Sequence, residues 1–319
     1  MGRIARKFAN DLKRLPNARL HAVASQSLER AQEFGKEYLV PHAFGSYQEI
    51  VNCPDLDVVY IATPHVQHCE NTLLCLRHKI PVLCEKPFAM NLEEAHKMVM
   101  TARENQTFLM EAIWTRFIPT IVKAMELVES GIIGEVISIK ADFGFKAPFN
   151  PEGRLFNREL GGGSLLDIGI YPAFLALLIL GKPSKIKAFA NIGATGVDEE
   201  LGAVLQYNDG KLAHLHSTIR SMTKTEAFIY GEQGTIHLHT RWHEPTGMTL
   251  LLQDGRPKPF HFDFKGKGYY YEAEHVMQCL QAGKTESPLL PLDFSLKLME
   301  LLDDIRREAG IFYPQDEVL

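Results

Sequence analysis

The first 110 or so residues alternate between helical and strand periodicity, and this alternation constrains the fold more than any other feature of the chain. Apolar residues recur at helical spacing in Arg3–Leu15 and Leu28–Phe34, on either side of a strand-like segment at Ala18–Ala24. Continuous apolar runs at Asp57–Ala62 and Pro81–Cys84 predict two further buried strands. Strands that alternate with helices form parallel sheets covered by helices, so the sequence predicts an α/β, doubly wound parallel sheet.

The pattern changes after Phe117, which places a domain boundary there: residues 1–117 form the first domain and 118–319 the second. A glycine-rich segment, Gly161–Ser164, opens an apolar helix that runs to Leu180. Beyond it, short alternating segments are separated by turns such as Asn208-Asp209-Gly210 and Gln253-Asp254-Gly255. The second domain is therefore predicted to be α+β, with a large, mostly antiparallel sheet.

Composition excludes several classes of protein. With 319 residues, 45% hydrophobic and 23% charged, the chain is expected to be soluble and cytoplasmic, and no apolar run approaches the roughly 20 residues that span a bilayer. The net charge of −5 gives no basic surface for nucleic acid. The 5 cysteines are an odd number without Cys-x-x-Cys spacing, which argues against a disulfide framework or a zinc site. A small-molecule ligand is the better expectation, with no metal.

The predicted strand Pro81–Cys84 runs directly into Glu85, Lys86 and Pro87. Open α/β sheets bind ligands outside the carboxyl ends of their strands, and Pro87 stiffens the turn that aims the lysine. The spacing alone leaves two interpretations open, a strand-terminal lysine without a task and a functional ammonium group.

The N-terminus carries only part of a dinucleotide-binding signal. A Rossmann domain begins with a buried strand and a Gly-x-Gly-x-x-Gly or Ala turn whose backbone approaches pyrophosphate. Gly2, Arg3 and Ile4, followed by Ala5, fit the end of that turn, while Met1 stands at its middle position and the first strand is missing. A truncated gene model is the favoured explanation, since the loss of a central strand would leave two neighbours with unpaired edges. The alternative is that Gly2-x-x-Ala5 is simply a helix start.

Cofactor preference is encoded about twenty residues after such a turn, where an acidic residue would bind the ribose of NAD. This chain has Ser25, Gln26 and Ser27 there, with Arg30 one helical turn further on. Without a carboxylate to repel it, a 2′-phosphate could bind these hydroxyls and the guanidinium, which favours NADP. The alternative is a serine that caps a helix beside a solvated arginine.

Several motifs together resemble the glucose-fructose oxidoreductase, inositol dehydrogenase and MocA family. They are Ala62-Thr63-Pro64-His65, Glu85-Lys86-Pro87, Met110-Glu111-Ala112-Ile113-Trp114-Thr115-Arg116-Phe117, Asp167-Ile168-Gly169-Ile170-Tyr171, Gly231-Glu232-Gln233-Gly234-Thr235-Ile236 and Glu286-Ser287-Pro288. The tryptophan motif, and a tyrosine where the family more often has histidine, resemble the subgroup of dimeric dihydrodiol dehydrogenases, also described as NADP-dependent D-xylose dehydrogenases. The resemblance covers the whole chain apart from the missing first strand.

The resemblance implies that Lys86 and Tyr171 flank the carbinol carbon of the substrate, and that Thr63, Pro64, His65 and Glu85 line the cofactor site. Oxidation of an alcohol requires a base for the hydroxyl proton, and Tyr171 would serve as phenolate. Its pKa near 10 would have to fall by roughly 2 to 3, a cost of about 3 to 4 kcal/mol. An ammonium about 4 Å away supplies on the order of 4 kcal/mol at an effective dielectric constant near 20, before desolvation subtracts its share.

Asp167 lies four residues before Tyr171, so on a helix both side chains would face one pocket. It is predicted to bind a substrate hydroxyl or to orient Lys86, the alternative being a structural carboxylate near a helix N-terminus. Trp114 and Phe145 are candidates for an apolar wall against the substrate, or for core packing. His68 is expected on a helix surface.

These features predict an NADP-dependent dehydrogenase of a small polyol, a sugar or an aromatic trans-dihydrodiol. Two alternatives stay open, a sugar reductase of the same family and a non-catalytic, cofactor-binding regulator. The broad antiparallel sheet, together with the resemblance, predicts a homodimer formed sheet to sheet.

Overall fold

The computed structural model describes residues 2–253 and 255–316. The Met1 position of the glycine turn and the Asp254 position of the predicted turn therefore lie outside the described residues. The chain divides into two compact units, residues 1–114 with 265–295, and residues 115–264 with 296–319. The observed boundary after Trp114 lies near the predicted boundary after Phe117. Residues 265–295 belong to unit 1, whereas the prediction assigned them to the second domain.

Among the described residues, unit 1 contains five α-helices, the beginning of a sixth and five short strands. The helices are α1 (Arg3–Leu12), α2 (Leu28–Tyr38), α3 (His68–Arg77), α4 (Leu92–Glu104), α7 (Tyr269–Gln281) and the start of α8 (Leu292–Ala309). The strands are β1 (Ala22–Ala24), β2 (His42–Phe44), β3 (Val59–Ile61), β4 (Val82–Glu85) and β5 (Leu109–Ala112). All strand pairs are parallel, as expected of strands joined through helices.

The parallel strands form two sheets, β1–β2 and β3–β4–β5. Within the described residues, no ladder joins β1 to β3, in contrast to the single predicted sheet. Helix α1 covers both pieces: Phe8 stacks on Tyr60 of β3 at 3.8 Å between ring centroids, and Ala9 belongs to the cluster around Val23 of β1. Strand β4 is buried at all four positions and carries β3 and β5 on its two sides.

Residues 265–295 join unit 1 through buried polar contacts with its early elements. The Asp11 carboxylate, on α1, is 2% exposed and accepts hydrogen bonds from the backbone N–H groups of Lys267 and Tyr269, each at 2.9 Å. The N–H of Leu109 donates to the carbonyl of Thr285 at 3.2 Å. A buried carboxylate needs such donors, so α7 completes unit 1 and not the predicted second domain.

Unit 2 is built on one sheet of eight strands in the order β13-β12-β11-β10-β6-β9-β8-β7. The strands are β6 (Val136–Gly144), β7 (Lys185–Ile192), β8 (Asp198–Gln206), β9 (Leu212–Thr218), β10 (Ala227–Gly231), β11 (Gly234–Leu238), β12 (Met248–Leu252) and β13 (Lys258–Phe260). The helices are α5 (Pro119–Glu129), α6 (Ile170–Leu180) and the remainder of α8. The pairing is antiparallel except between β6 and β9, which confirms the prediction of a mostly antiparallel sheet.

Helix α6 packs against β6 and β9 and forms the centre of the unit 2 core. The helical run Arg158–Leu180 is long and apolar enough to cross a membrane by length and composition, which the sequence analysis did not expect. Its most apolar window is 78% buried within the protein, as in the core helix of a globular domain.

Candidate functional site

Lys86 follows the last residue of β4, the central strand of the three-stranded sheet in unit 1. Its backbone N–H donates to Glu85 Oε2 at 3.2 Å, and its peptide bond to Pro87 is cis. The lysine therefore lies at the carboxyl edge of a parallel sheet, which is the edge that the sequence predicted and where α/β folds bind ligands.

Three buried carboxyl groups of unit 1 interact in this region, those of Glu85, Glu111 and Glu272. Glu85 is 5% exposed and accepts a hydrogen bond from the Tyr60 hydroxyl. Burial, followed by the charge of Glu85, raises the pKa of Glu272 well above its usual range. Neither carboxyl oxygen of Glu272 has a hydrogen-bond partner among the described residues. Repulsion between Glu85 and Glu272 therefore favours a neutral Glu272.

Glu111, on β5, is completely buried, and burial raises its pKa to about 7, while the Lys86 ammonium acts in the opposite direction. Because the folded protein holds this proton more tightly than the unfolded chain, the contribution of Glu111 to stability is fully present below about pH 4.5 and lost as the pH rises to about 7. We expect Glu111→Gln to remove this part of the pH dependence, worth about 3 kcal/mol at most.

Urea unfolding between pH 4.5 and pH 8 measures the effect, with Glu104→Gln at the exposed end of α4 as a control. If the free energies of unfolding of Glu111→Gln and of the unmodified protein change with pH in the same way, Glu111 is ionised in the folded protein.

His65 and His68 follow β3, and both are buried. His68 is 0% exposed, so the prediction of a helix-surface residue was wrong. Its Nδ1 lies 2.8 Å from the carbonyl oxygen of Pro87 and its Nε2 lies 3.1 Å from that of Thr63. Only a doubly protonated imidazole donates to both carbonyls at once. His68 thus ties the segment after β3 to the Glu-Lys-Pro turn, a contact that the sequence did not indicate.

The segment predicted to select the nucleotide lies between β1 and α2. Ser27 is the N-cap of α2 and its hydroxyl accepts from the N–H of Arg30 at 3.3 Å, so the capping interpretation holds for this serine. Ser25 is 6% exposed, whereas Gln26 and Arg30 are exposed. Gln26 and Arg30 are thus the accessible polar side chains of this segment.

A cavity of about 310 Å³ opens beside this segment within unit 1. It is lined by Gln26, Gly45, Ser46, Tyr47, Gln48, Gln67, Glu70 and Asn71. Burial raises the pKa of Tyr47 and the Arg30 guanidinium lowers it, which puts the Arg30 charge within electrostatic range of the cavity wall. Most of these residues were missed from the sequence, because the cavity is formed by segments after three different strands.

Gly2 precedes α1 as its N-cap, and no side chain caps the helix. Gly2 and Arg3 are exposed and Ile4 is half-buried. The N-terminal N–H groups of a helix without a side-chain cap are suited to an anion such as a pyrophosphate. A phosphate-binding role for Gly2, Arg3 and Ile4 stays a prediction.

Trp114, the last residue of the first segment of unit 1, is 4% exposed. Its ring stacks on Tyr269 at 4.3 Å between centroids, nearly parallel. This contact is core packing, which is the alternative interpretation of Trp114 in the sequence. The other face of the Trp114 ring could still contact a substrate.

Asp167 lies in a π-helical turn, Leu165–Gly169, that precedes α6 in unit 2. The guanidinium of Arg154 donates to its Oδ1 at 2.7 Å, and the Asp167 side chain is 15% exposed. A π-helical turn changes the angular spacing, so the predicted one-face relation to Tyr171 does not follow from ideal α-helix geometry. Such turns are frequent at functional sites, but their sequences carry no simple signature.

Tyr171 lies in the first turn of α6 and is 5% exposed. Its ring is 5.1 Å from that of His243 and 5.7 Å from that of Phe143, and these two rings stack on each other at 4.0 Å. His243 Nε2 lies 3.5 Å from Glu244 Oε1, and interactions with His243 and Arg241 lower the pKa of Glu244 to about 2 despite its burial. The motif Asp167–Tyr171 indicates Tyr171, but no sequence signal indicates the histidine beside it.

Phe145 directly follows β6 and is half-buried, with its ring 6.3 Å from that of Phe143. Its backbone N–H donates to the carbonyl of Thr218 at 3.0 Å. The structure therefore places Phe145, Tyr171 and His243 around the ring of Phe143.

Asp198, on β8, anchors the glycine-rich segment that leads into the π-helical turn. Its Oδ2 accepts from the Ser164 hydroxyl at 2.8 Å and from the Leu165 N–H at 2.7 Å, and burial raises its pKa to about 6. Gly163 has φ +118°, and a Cβ there would lie 2.1 Å from Asp198 Oδ1. The glycine is thus required for the carboxylate to reach the start of the helix that carries Asp167 and Tyr171.

Comparison with known proteins covers both units. Residues 1–113 match the model of an oxidoreductase family with an NAD-binding Rossmann fold, and residues 121–237 match the GFO/IDH/MocA C-terminal domain. The trans-1,2-dihydrobenzene-1,2-diol dehydrogenase of Mus musculus is 38% identical over 99% of this chain and 97% of the mouse protein. That of Danio rerio is 38% identical over 99% of this chain and 96% of its own.

A solved structure of a 3-ketoreductase from Actinomadura kijaniata, in complex with NADP and TDP-benzene, superposes with a TM-score of 0.86. It is 26% identical, and the match covers 97% of this chain and 95% of the reductase. The predicted resemblance is therefore confirmed in sequence and in fold, and the chain belongs to the GFO/IDH/MocA family of NAD(P)-binding oxidoreductases.

Proposed function

We propose that this protein is an NADP-dependent dehydrogenase that oxidises an aromatic trans-dihydrodiol, a small polyol or a sugar such as D-xylose. The observation that carries the proposal is similarity along 99% of the chain to enzymes named for trans-dihydrodiol oxidation. The position of Lys86 at the carboxyl edge of the parallel sheet supports it, because this edge is where a dehydrogenase of this fold binds its reactants.

The residues of unit 1 fit a dinucleotide. The cavity beside β1 and β2 has the size and polar lining that an adenosine moiety needs, and α1 offers an N-terminus without a side-chain cap. In this proposal Gly2, Arg3 and Ile4 bind the pyrophosphate, Gln26 and Arg30 bind the 2′-phosphate, and Ser27 caps α2 beside them. Thr63, Pro64, His65 and Glu85, which follow or end β3 and β4, complete the cofactor site, and the buried Ser25 supports it.

A bound nicotinamide would supply hydride-transfer chemistry in either direction. Tyr171 Oη removes the proton from the substrate hydroxyl during oxidation and gives it back during reduction. From the family resemblance, we assign to the Lys86 ammonium the role of favouring the phenolate form of Tyr171. Asp167 binds a second substrate hydroxyl and is held in place by Arg154. Trp114 and Phe145 contribute apolar surface against the substrate.

The first test is a rate assay with trans-1,2-dihydrobenzene-1,2-diol and D-xylose, each with NADP⁺ and with NAD⁺. Turnover of either alcohol that is faster with NADP⁺ agrees with the proposal. Binding of NADPH without turnover of any polyol would instead indicate the non-catalytic regulator.

The nucleotide preference is tested separately by Arg30→Ala. We expect the Kd for NADPH to rise about 10-fold with that for NADH unchanged, because a charge-assisted hydrogen bond to the 2′-phosphate is lost. Fluorescence titration measures both constants. Arg19→Ala removes the same charge from an exposed position before β1 and serves as the control. Equal effects of Arg30→Ala on the two nucleotides would assign Arg30 to the helix surface.

A second candidate function is reduction of a keto sugar. It is favoured by the structural similarity to a 3-ketoreductase whose complex contains NADP. The same proton-transfer residues serve both directions, so only rates with keto sugars and NADPH, compared with those for diols and NADP⁺, distinguish the two.

We further propose a cytoplasmic homodimer formed through the sheet of unit 2. The strand register puts Phe189, Val204, Tyr230 and Leu251 on the face opposite the buried Ala188, and Phe189 is 81% exposed. Exposed apolar side chains grouped on one sheet face are typical of an interaction surface. Light scattering is expected to give twice the chain mass of 36.0 kDa, and a single species at the chain mass would contradict the dimer.

A further inference from the structure

Three side chains of unit 1 bring one ligand atom each to within 4.8 Å of one another: His21, His42 and Cys53. They are far apart in sequence, which is why local cysteine spacing gave no sign of them. The parallel pairing of β1 with β2 sets Ala22 opposite His42 and so brings the two imidazoles together, with ring centroids 4.8 Å apart. Cys53 directly follows the 3₁₀ turn Gln48–Asn52.

The surroundings of the three side chains suit a cation. Cys53 is 7% exposed, while both histidines are half-buried, so the group has a buried anchor and a side open to water. His21 Nε2 lies 3.0 Å from the carbonyl oxygen of Pro54. A metal-bound histidine commonly donates its second N–H to such a carbonyl, which fixes the ring.

We propose that His21, His42 and Cys53 bind a Zn²⁺ ion, with water as the fourth ligand. Two imidazoles and one thiolate are ligands that zinc prefers, and three protein ligands plus water complete its tetrahedral geometry. Each imidazole donates a lone pair, the S–H bond of Cys53 breaks, and its proton passes to the solvent. No electron is transferred. Zn–N and Zn–S bond lengths require ligand atoms about 3.5 Å from one another. The three side chains therefore have to rotate toward each other when the ion binds.

The site lies at the opposite edge of the sheet from the cofactor segment. His21 precedes β1 and His42 begins β2, whereas Gln26 and Arg30 follow the carboxyl end of β1. A strand of three residues is about 10 Å long, so the ion would not touch the nucleotide. A two-stranded sheet is marginally stable by itself, and an ion that joins β1, β2 and the turn after β2 would stabilise it. We therefore assign the ion a structural role.

Co²⁺ is the probe for the coordination, used with the full-length, cofactor-free protein. A tetrahedral Co²⁺ ion bound to a thiolate gives a charge-transfer band in the near ultraviolet and intense visible bands, and Zn²⁺ should displace it. We expect Cys53→Ser to abolish the charge-transfer band and His42→Gln to weaken Co²⁺ affinity about 100-fold. Saturating Zn²⁺ should raise the midpoint of thermal unfolding by about 5 °C and leave the Kd for NADPH unchanged.

Cys279→Ser is the matched control, because the sulfur of Cys279 also lies near a histidine nitrogen, 3.4 Å from His275 Nε2, without belonging to the cluster. It should retain the band. Absence of a thiolate band in the folded protein at millimolar Co²⁺ would overturn the proposal, as would a band that survives Cys53→Ser. Should Cys53→Ser fail to fold, the half-buried His42→Gln variant decides: unchanged Co²⁺ affinity contradicts the site. None of these measurements uses turnover, so their failure leaves the proposed dehydrogenase function untouched.

Discussion

Replacing Tyr171 by phenylalanine is expected to lower kcat by about 10²- to 10⁴-fold, because the substitution removes the hydroxyl that is proposed to take the substrate proton. The ring packs against Phe143 and His243, and phenylalanine preserves those contacts. The fold and the affinity for NADPH should therefore be unchanged. Steady-state rates with the best diol or sugar, together with an NADPH titration, measure both quantities.

Tyr207→Phe is the matched control for this experiment. Tyr207 is also a buried tyrosine of unit 2, and its hydroxyl has no hydrogen-bond partner among the described residues. Its loss should leave kcat nearly unchanged. A Tyr171→Phe enzyme with a rate within a factor of two of the unmodified protein would remove Tyr171 from the mechanism.

Replacing Lys86 by methionine is expected to lower kcat at neutral pH by about 10²- to 10³-fold, because the proposed mechanism uses the Lys86 charge to favour the phenolate of Tyr171. The residual rate should rise with pH, since loss of a nearby positive charge shifts ionisation of a tyrosine to higher pH. Lys86→Arg keeps the charge but changes its geometry, so it should recover only part of the rate. The pH profile of kcat measures the effect.

Lys97→Met, on the exposed face of α4, tests whether loss of any lysine has the same result. A Lys86→Met profile that is lowered equally at every pH would show that the lysine binds substrate without acting on the tyrosine. Retention of the full neutral rate would exclude both roles.

The antiparallel half of the fold could be predicted closely from sequence. Strands β9 (Leu212–Thr218) and β12 (Met248–Leu252) lie among the short alternating segments that the sequence predicts there, because one buried face gives each strand an alternating pattern. The parallel half was harder. Strand β2 has only three residues, none of them fully buried, and was not predicted. The division of the parallel strands into two sheets depends on pairing, which periodicity does not encode.

The candidate site also contains residues that could be predicted from the sequence and residues that could not. Lys86 and Tyr171 belong to short contiguous motifs and could be identified, whereas their neighbours come from distant segments. Arg154, which binds Asp167, lies in a loop without periodicity, and His243 reaches Tyr171 only through the packing of unit 2. His68 looked like helix surface because its partners are backbone carbonyls, which every sequence contains.

The assignment of residues 265–295 to unit 1 also determines the order in which the protein can mature during synthesis. The Asp11 carboxylate on α1 accepts backbone hydrogen bonds from Lys267 and Tyr269, some 256 residues later, and Trp114 stacks on Tyr269. The nucleotide-binding unit therefore cannot be completed when its first 114 residues leave the ribosome. The strands of the eight-stranded sheet are synthesised before residues 265–295. The N-terminal unit of the nascent chain therefore stays incomplete, and open to chaperones, until residue 295 has emerged.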